Sequence, residues 1–192
     1  MSLFPMFLKL ESRLCLVVGA GAIAEGRIRS LLEAGAIVCV VSPRATPRVH
    51  QWSATGAIKW LQRKFTRNDL DGKFLVIAAT SSAKVNALVF KQARRKKVLC
   101  NSVDDPPHCD FFYAAVVRRG DLQIAISTNG KSPALAQRLR KRFEQQFGPK
   151  YADKIHELGA ARERLFHSRM EPVRRRELLL RMARAVRLRG GR

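Results

Sequence analysis

LCLVVGAGAIA, residues 14–24, is the stretch of the sequence that decides the fold. Its first five residues form a continuous apolar run, which is typical of a strand buried on both faces of a parallel sheet. Gly19 and Gly21 follow this run, and a helical pattern continues from Ala22 to Ala34. A strand, a glycine turn and a helix in this order predict the start of a βαβ unit.

The same alternation of apolar runs and helical patterns continues to Pro107. Gly35 ends the first helix, as a glycine just after the last turn often does. Further strands are predicted at residues 36–41, 58–61, 74–79 and 98–103, with helices at residues 46–55 and from Ser81 or Ser82 to about Lys96. This alternation predicts an α/β fold, with a Rossmann-type parallel sheet that carries helices on both faces.

The pattern changes after Pro107. The predicted elements are strands at residues 111–117 and 122–127, a hairpin turn at 118–121, a helix from Ser132-Pro133 to about Phe147, and two helices between Tyr151 and Leu188 that divide near Glu171-Pro172. A serine cap followed by proline in the first turn is a common way to start a helix.

The chain is strongly basic, with 37 Lys and Arg against 15 Asp and Glu and a formal net charge of +22. After residue 130 there are 18 basic and 6 acidic residues. Such a charge predicts a polyanionic partner, with nucleic acid as the first expectation and a small molecule bearing many carboxylates as the other. Alternatively, the basic residues of the tail form a solvated helix face that binds no partner. The four cysteines form no C-x-x-C pair, so we expect a chain of the reducing cytoplasm. No apolar run is long enough for a membrane span, so we expect no association with a membrane.

The pattern Gly19-x-Gly21-x-x-Ala24 predicts a dinucleotide site. The first glycine allows the tight turn, the second lets the backbone approach a pyrophosphate, and the helix N-terminus attracts the phosphates. The acidic residue that usually binds the adenosine ribose is missing, and Ser42-Pro43-Arg44 stands in its place. The residues alone therefore leave NAD and NADP open.

Two more segments carry candidate chemistry. Asp104-Asp105 follows a predicted buried strand, where a carboxylate can act as a general base or a metal ligand, although Asp104 to Pro107 is equally suited to a plain turn. If the strand geometry persists, Asp104 and Asp105 point to opposite sides. The polar loop from Ser127 to Pro133 precedes a helix and can hold ligand carboxylates, or simply cap that helix.

Several stretches together resemble one known family. They are Phe4 to Phe7, Val17 to Ala24, Leu31 to Ala36, Ala78 to Thr80 with Val85-Asn86, Cys100 to Asp104, and Ile124 to Ala136. Their order and content resemble the N-terminal module of sirohaem synthase, a family of precorrin-2 dehydrogenases of which some are also sirohydrochlorin ferrochelatases. The resemblance implies NAD-dependent oxidation of precorrin-2 to sirohydrochlorin, with Asp104 as the key carboxylate and a homodimer formed by the segment after the nucleotide domain. Because precorrin-2 is polyanionic, it also explains the basic charge without nucleic acid.

These inferences define the expected sites and domains. The expected NAD-binding residues are Gly19, Gly21, Ala22, Ile23, Pro43, Arg44 and Thr80, the substrate-binding residues are Asn101, Thr128 and Ser132, and the catalytic residue is Asp104. The expected domains are an NAD-binding Rossmann domain at 1–112, a dimerisation and active-site segment at 113–148, and a basic helical region at 149–192.

Two alternatives remain open in the sequence. The first is a bifunctional enzyme that also inserts ferrous iron, with Asp104 as a metal ligand. The second, more distant, is an NAD(H)-sensing regulator whose basic tail binds nucleic acid.

Overall fold

The computed structural model describes residues 3–186. The strands are β1 (Leu14–Val18), β2 (Ile37–Val41), β3 (Ile58–Leu61), β4 (Leu75–Ala78), β5 (Leu99–Ser102), β6 (Ala115–Arg119) and β7 (Leu122–Ile126). The α-helices are α1 (Ala22–Glu33), α2 (Pro47–Ala54), α3 (Ala83–Arg95), α4 (Pro133–Gln146), α5 (Lys150–Phe166) and α6 (Pro172–Ala185). Each predicted strand and helix therefore exists, and the divided pair of C-terminal helices is confirmed up to Val186. Arg187 and Leu188, where the last helix was predicted to end, lie outside the described residues.

Five parallel strands form one sheet in the order β3-β2-β1-β4-β5. The register pairs Val18 of β1 with Val41 of β2 on one side and with Ala78 of β4 on the other. The sequence order reverses beside β1, and this switch point is where open α/β sheets form a crevice at the carboxyl ends of their strands. The predicted Rossmann-type sheet is confirmed.

The central strands are buried because helices cover them. Leu16 and Val18 of β1 share one hydrophobic core with Val89 and Ala93 of α3. Val17, whose side chain alternates with theirs, is fully buried as well. A continuous apolar run such as that of β1 is thus explained by a strand covered on both faces.

The turn between β1 and α1 depends on Gly19. Its φ of +107° lies outside the range that side chains favour, and a Cβ built on it would lie 2.3 Å from the Ala79 carbonyl oxygen. Its N–H also donates to the Val41 carbonyl at 2.9 Å. No side chain fits at this position, so the glycine lets β1 turn directly beside β4.

A second unit begins at Tyr113, and residues 4–112 form the first. In the second unit β6 and β7 pair as an antiparallel hairpin, and α4 and α5 pack against it. Tyr151 and Ala161 of α5 are buried, whereas α6 has no buried residue.

The bounds of the hairpin correct the prediction. The first strand is Ala115–Arg119 rather than residues 111–117, and the turn is Gly120-Asp121 alone. Gly120 has a φ of +56°, which allows this two-residue turn. The apolar Phe111 is not in the hairpin, because its carbonyl accepts a hydrogen bond of 2.8 Å from the side chain of Asn101 in β5.

None of the helices in residues 3–186 combines the length and the apolar character that a membrane crossing requires.

We predict that Gly19→Ala lowers the free energy of unfolding by roughly 2–4 kcal/mol, because it adds a clash with the Ala79 carbonyl to an unfavourable φ. Gly56→Ala is the matched control, since Gly56 also has a positive φ of +75° but nothing lies within 4 Å of the added Cβ. It should cost only about 1–2 kcal/mol. Urea denaturation of the three proteins measures both values, and equal losses would contradict the steric role of Gly19.

Candidate functional site

A cleft of about 730 Å³ opens at the carboxyl ends of β1, β2 and β4. It is lined by Val18, Gly19, Ala20, Gly21, Val41, Ser42, Pro43, Arg44, Ala45, Thr46, Lys64, Phe65, Ala79, Thr80, Ser81, Ser82, Val85 and Leu88. The lining is mostly apolar or hydroxylated, its two charges are both positive, and it includes no Asp or Glu. A cleft of this size and place is where a Rossmann sheet binds a dinucleotide.

The N-terminus of α1 borders this cleft. Gly21 is its N-cap, and no side chain caps the helix. By contrast, the hydroxyls of Thr46 and Ser82 cap α2 and α3. Nothing lies within 4 Å of a Cβ built on Gly21, so the backbone there is open to a ligand. The first N–H groups of α1 lack partners within the helix and are suited to bind phosphate oxygens.

The loop after β2 is held on both sides. The Trp60 indole N–H donates to the Ser42 carbonyl at 3.0 Å, and the Ser42 hydroxyl donates to the Arg44 carbonyl at 2.7 Å. The Thr46 N–H donates to the Ala20 carbonyl at 3.1 Å, which joins this loop to the glycine turn. The backbone of Arg44 is therefore fixed at the cleft, while its side chain is exposed.

The loop after β4 is fastened by Asn86, a buried residue of α3. Its side-chain oxygen accepts from the Thr80 hydroxyl at 2.7 Å and from the Thr80 N–H at 3.2 Å, and its amide nitrogen donates to the Thr80 carbonyl at 3.1 Å. Thr80 thus lines the cleft in a fixed conformation. The positioning role of Asn86 was missed in the sequence. Asn86 lies one helical turn after the Ser82 cap, and this spacing indicates a polar side chain near the start of α3.

The loop after β3 brings Lys64 and Phe65 to the cleft, and sequence reasoning missed both. Arg63 donates two hydrogen bonds to the Asp69 carboxylate, at 2.9 and 2.5 Å, and a third to the Lys64 carbonyl at 3.1 Å. Burial alone would raise the pKa of Asp69, but its hydrogen bonds from Arg63 and Thr66 outweigh this effect and lower the pKa. Their place could have been predicted from the sequence, because the loops that follow parallel strands all lie at the carboxyl edge of the sheet.

The cleft gathers most of the predicted cofactor residues. Gly19, Gly21, Pro43, Arg44 and Thr80 line it. Ala22 and Ile23 are the first residues of α1 and are exposed, but they are not part of the lining.

Asp104 lies at the carboxyl edge of the same sheet, but not on a strand. β5 ends at Ser102, and Asp104 occupies a turn with a φ of +58°. The alternation of Asp104 and Asp105 was expected only if the strand continued, and it does not; the segment adopts the turn that the sequence favoured equally. Aspartate tolerates this left-handed conformation better than most residues. Its carboxylate is exposed, as a group that meets a ligand must be.

The turn that carries Asp104 is fixed by its neighbours. The Asp105 carboxylate pairs with His108 Nδ1 at 2.6 Å, and the Cys109 thiol donates to the carbonyls of Ser102 and Asp105 at 3.1 and 3.3 Å. Burial raises the pKa of the Cys109 thiol, so it keeps the proton that it donates. Asn101 is buried, and its amide holds the Phe111 carbonyl, which gives it a structural task beside the predicted substrate contact.

Thr128 and Ser132 belong to the second unit, at the start of α4. The Ser132 N–H donates to the Thr128 hydroxyl at 3.1 Å, and the Ser132 hydroxyl accepts from the Leu135 N–H at 3.3 Å. Ser132 therefore caps α4, as predicted. Their contact with a substrate stays a prediction.

The described residues contain no metal-binding cluster, and the buried cysteines are not reactive thiols. No group of three or more His, Cys, Asp or Glu side chains that could hold a metal occurs in residues 3–186. All four cysteines are free thiols, and burial raises the pKa of Cys15 to about 11 and that of Cys100 to about 12. These two thiols are core side chains rather than nucleophiles.

Comparisons with known proteins agree with this geometry. A family described as putative NAD(P)-binding matches residues 6–115, and one described as sirohaem biosynthesis protein central matches residues 119–146. Siroheme synthase 2 of Yersinia pestis bv. Antiqua (strain Nepal516) is 42% identical over 144 residues, which are 75% of this chain and 31% of that protein. Siroheme synthase 2 of Serratia proteamaculans (strain 568) is 39% identical over 161 residues, 84% of this chain and 34% of that protein.

The chain thus spans about a third of the length of these curated relatives. Among solved structures, SirC, a precorrin-2 dehydrogenase, has a TM-score of 0.81 at 29% identity and covers 94% of this chain and 89% of its own. The family resemblance seen in the sequence is confirmed. The match over residues 6–115 spans more than half of the chain and shows that the chain belongs to the family described as putative NAD(P)-binding.

Proposed function

We propose that this chain oxidises precorrin-2 to sirohydrochlorin with NAD as the acceptor. The observation that carries the proposal is the open glycine cleft, in a chain that aligns along most of its length with a precorrin-2 dehydrogenase. When bound, NAD accepts a hydride from the macrocycle. The protein must orient the macrocycle, attract its negative charges and remove a proton from it.

The residues present fit the dinucleotide. The space beside Gly21 is open, and the uncapped N-terminus of α1 supplies N–H groups for the pyrophosphate. The loop of Ser42 to Arg44 borders the adenosine end, because that end lies beyond the second strand of a Rossmann sheet. The Thr80 loop, fastened by Asn86, borders the opposite side of β1.

Asp104 is the proposed proton acceptor. It is exposed at the carboxyl edge of the sheet, and the turn around it is held by Asp105, His108 and Cys109. A carboxylate held in one place can take the proton that leaves the macrocycle, which contributes a factor on the order of 10²–10⁴ to the rate. Asn101, Thr128 and Ser132 are the proposed substrate contacts.

The second unit supports a homodimer. The β6–β7 sheet has only two strands within the described residues, so each strand has an unpaired edge that can pair with a second copy of the chain. We therefore propose that residues 113–148 form the dimer contact, that residues 1–112 bind NAD, and that the basic helices from 149 onward attract the anionic substrate. The free thiols support a reducing compartment, which we propose is the cytoplasm.

The direct test is an anaerobic assay of the purified chain with precorrin-2 and NAD. The absorbance of NADH measures the progress of the reaction. Formation of NADH together with the sirohydrochlorin spectrum is expected. Iron(II) is then added to the product mixture. An absorbance change to sirohaem that depends on the protein would establish the bifunctional alternative, in which ferrous iron is a substrate.

Gly21→Asp should abolish NAD binding, because the new carboxylate enters the open space and repels the pyrophosphate. The fold should persist, since no atom lies within 4 Å of the added Cβ. Gly26→Asp adds the same charge to α1 away from the cleft lining and should keep NAD binding. Calorimetric titration decides this, and an unchanged NAD affinity in folded Gly21→Asp would refute the site.

Asp104→Asn should lower the rate of precorrin-2 oxidation about 10²–10⁴-fold while NAD still binds, because it removes the base but suits the positive φ. Asp105→Ala should keep most activity and lose some stability with the His108 pair, and His108→Ala should be mild. Steady-state rates and NAD titrations of the three variants are the measurement. A fully active Asp104→Asn enzyme is incompatible with the proposed base.

Neutralising two arginines of α6 should weaken substrate capture. Arg174 and Arg176 are exposed, whereas Arg175 packs over the Phe166 ring at 4.4 Å and is left intact. The double variant Arg174→Gln/Arg176→Gln should raise KM at low salt by roughly two- to fivefold with kcat little changed, because such charges mainly steer encounter. Lys59→Gln/Arg67→Gln removes as much charge and serves as control. If KM is the same at every ionic strength, the α6 arginines do not serve the substrate.

A further inference from the structure

The Asn86 side chain engages every polar group of one residue in the cleft wall. Its oxygen accepts from the hydroxyl and from the N–H of Thr80, and its nitrogen donates to the Thr80 carbonyl. The Thr80 hydroxyl also accepts from the Ser82 N–H at 3.2 Å. The polar atoms of Thr80 are thus used within the protein, and Thr80 meets a ligand chiefly as a surface whose shape Asn86 sets.

Neither the core nor the start of α3 accounts for an asparagine at this position. The side chain of Asn86 is only 5% exposed, and a buried amide is costly unless its hydrogen bonds are made. Its neighbours along the helix, Val89 and Ala93, fill the core with apolar groups. The helix start already has its cap in Ser82. The Asn86 amide therefore serves the loop that carries Thr80.

This loop forms part of the wall beside the glycine turn. A Cβ built on Gly19 would lie 3.1 Å from the Thr80 nitrogen, so the two backbones are in close contact. In the sheet, β4 lies on the side of β1 opposite to β2. Because the adenosine end of a dinucleotide lies beyond the second strand, its nicotinamide end belongs on the side of the Thr80 loop.

The same loop adjoins the turn that carries the proposed base. β4 and β5 are adjacent, and their last residues, Ala78 and Ser102, are paired. Thr80 and Asp104 each lie two residues beyond this pair. The Val103 N–H donates to the Ala78 carbonyl at 2.9 Å and continues the contact toward Asp104. A shift of the Thr80 loop would therefore change the position of the nicotinamide relative to Asp104.

We propose that Asn86 is a positioning residue for the dinucleotide, because it holds Thr80 so that the nicotinamide half is fixed on the Asp104 side of the cleft. The inference rests on the proposed function and deepens it. Affinity comes mainly from the pyrophosphate at the start of α1, so loss of Asn86 should leave most of the affinity intact. A misplacement of about 1 Å between reacting groups can lower a rate about 10²-fold, so the effect belongs in kcat.

The fluorescence anisotropy of NADH bound to the full-length protein tests this role without precorrin-2. Asn86→Ala should bind NADH with a Kd within about threefold of that of the unchanged protein, while the anisotropy of the bound nicotinamide falls. Val89→Ala is the matched control, since it truncates a buried side chain of the same helix that is outside the cleft lining. It should lower the thermal stability and keep both the Kd and the anisotropy.

Turnover with precorrin-2 is the second readout. Asn86→Ala should lower kcat about 10- to 100-fold with little change in the KM for NAD. Asn86→Asp keeps an oxygen that accepts from Thr80 and loses only the donor to its carbonyl, so its kcat should lie between those of Asn86→Ala and the unchanged protein. Thr80→Val removes one of the three hydrogen bonds and should lower kcat and anisotropy less than Asn86→Ala does. It decides the question if Asn86→Ala does not fold.

The outcomes separate the two proposals. If folded Asn86→Ala, or Thr80→Val in its place, changes kcat and anisotropy no more than Val89→Ala does, the positioning role is overturned. A selective fall in anisotropy, in a protein that does not oxidise precorrin-2, would remove the proposed reaction and leave the role of Asn86 standing. If the unchanged protein binds no NADH, the cleft assignment and the positioning role are both wrong.

Discussion

The close approach of residue 19 to the Ala79 carbonyl is the constraint on which the rest of the site depends. Only a glycine fits there, at a φ of +107°, and its N–H is held by the Val41 carbonyl of the neighbouring strand. The turn from β1 to α1 is thereby fixed against both β2 and β4. As a consequence, the uncapped N-terminus of α1 opens toward the cleft between the loops of these strands.

Each loop around the cleft has its own anchor. Asn86 holds the loop after β4, Trp60 the loop after β2, and Asp69 with Arg63 the loop after β3. The anchoring side chains are polar and are not themselves part of the lining. The lining itself is left mostly apolar, with Arg44 and Lys64 as its charged residues, which suits an anionic ligand.

The sequence predicted the sheet because its signals are local. The apolar run of β1 and the glycines after it require no knowledge of distant residues, and the same holds for the Ser82 and Ser132 caps. The sequence left strand and turn open at Asp104, because the turn depends on hydrogen bonds that the distant Cys109 makes to two backbone carbonyls. Lys64 was missed for a similar reason, since its place in the cleft follows from the pairing of β3 with β2. The first strand of the hairpin was placed too early because Phe111 looks like a strand residue but contacts Asn101.

The central claim is that the glycine turn and the N-terminus of α1 hold the pyrophosphate of a dinucleotide. A crystal structure of the protein grown with NAD tests it most directly. The account predicts pyrophosphate oxygens within hydrogen-bond distance of the backbone N–H groups that follow Gly21, with the adenosine ribose beside Arg44. A dinucleotide bound elsewhere on the chain, or one whose pyrophosphate does not touch the start of α1, would contradict it.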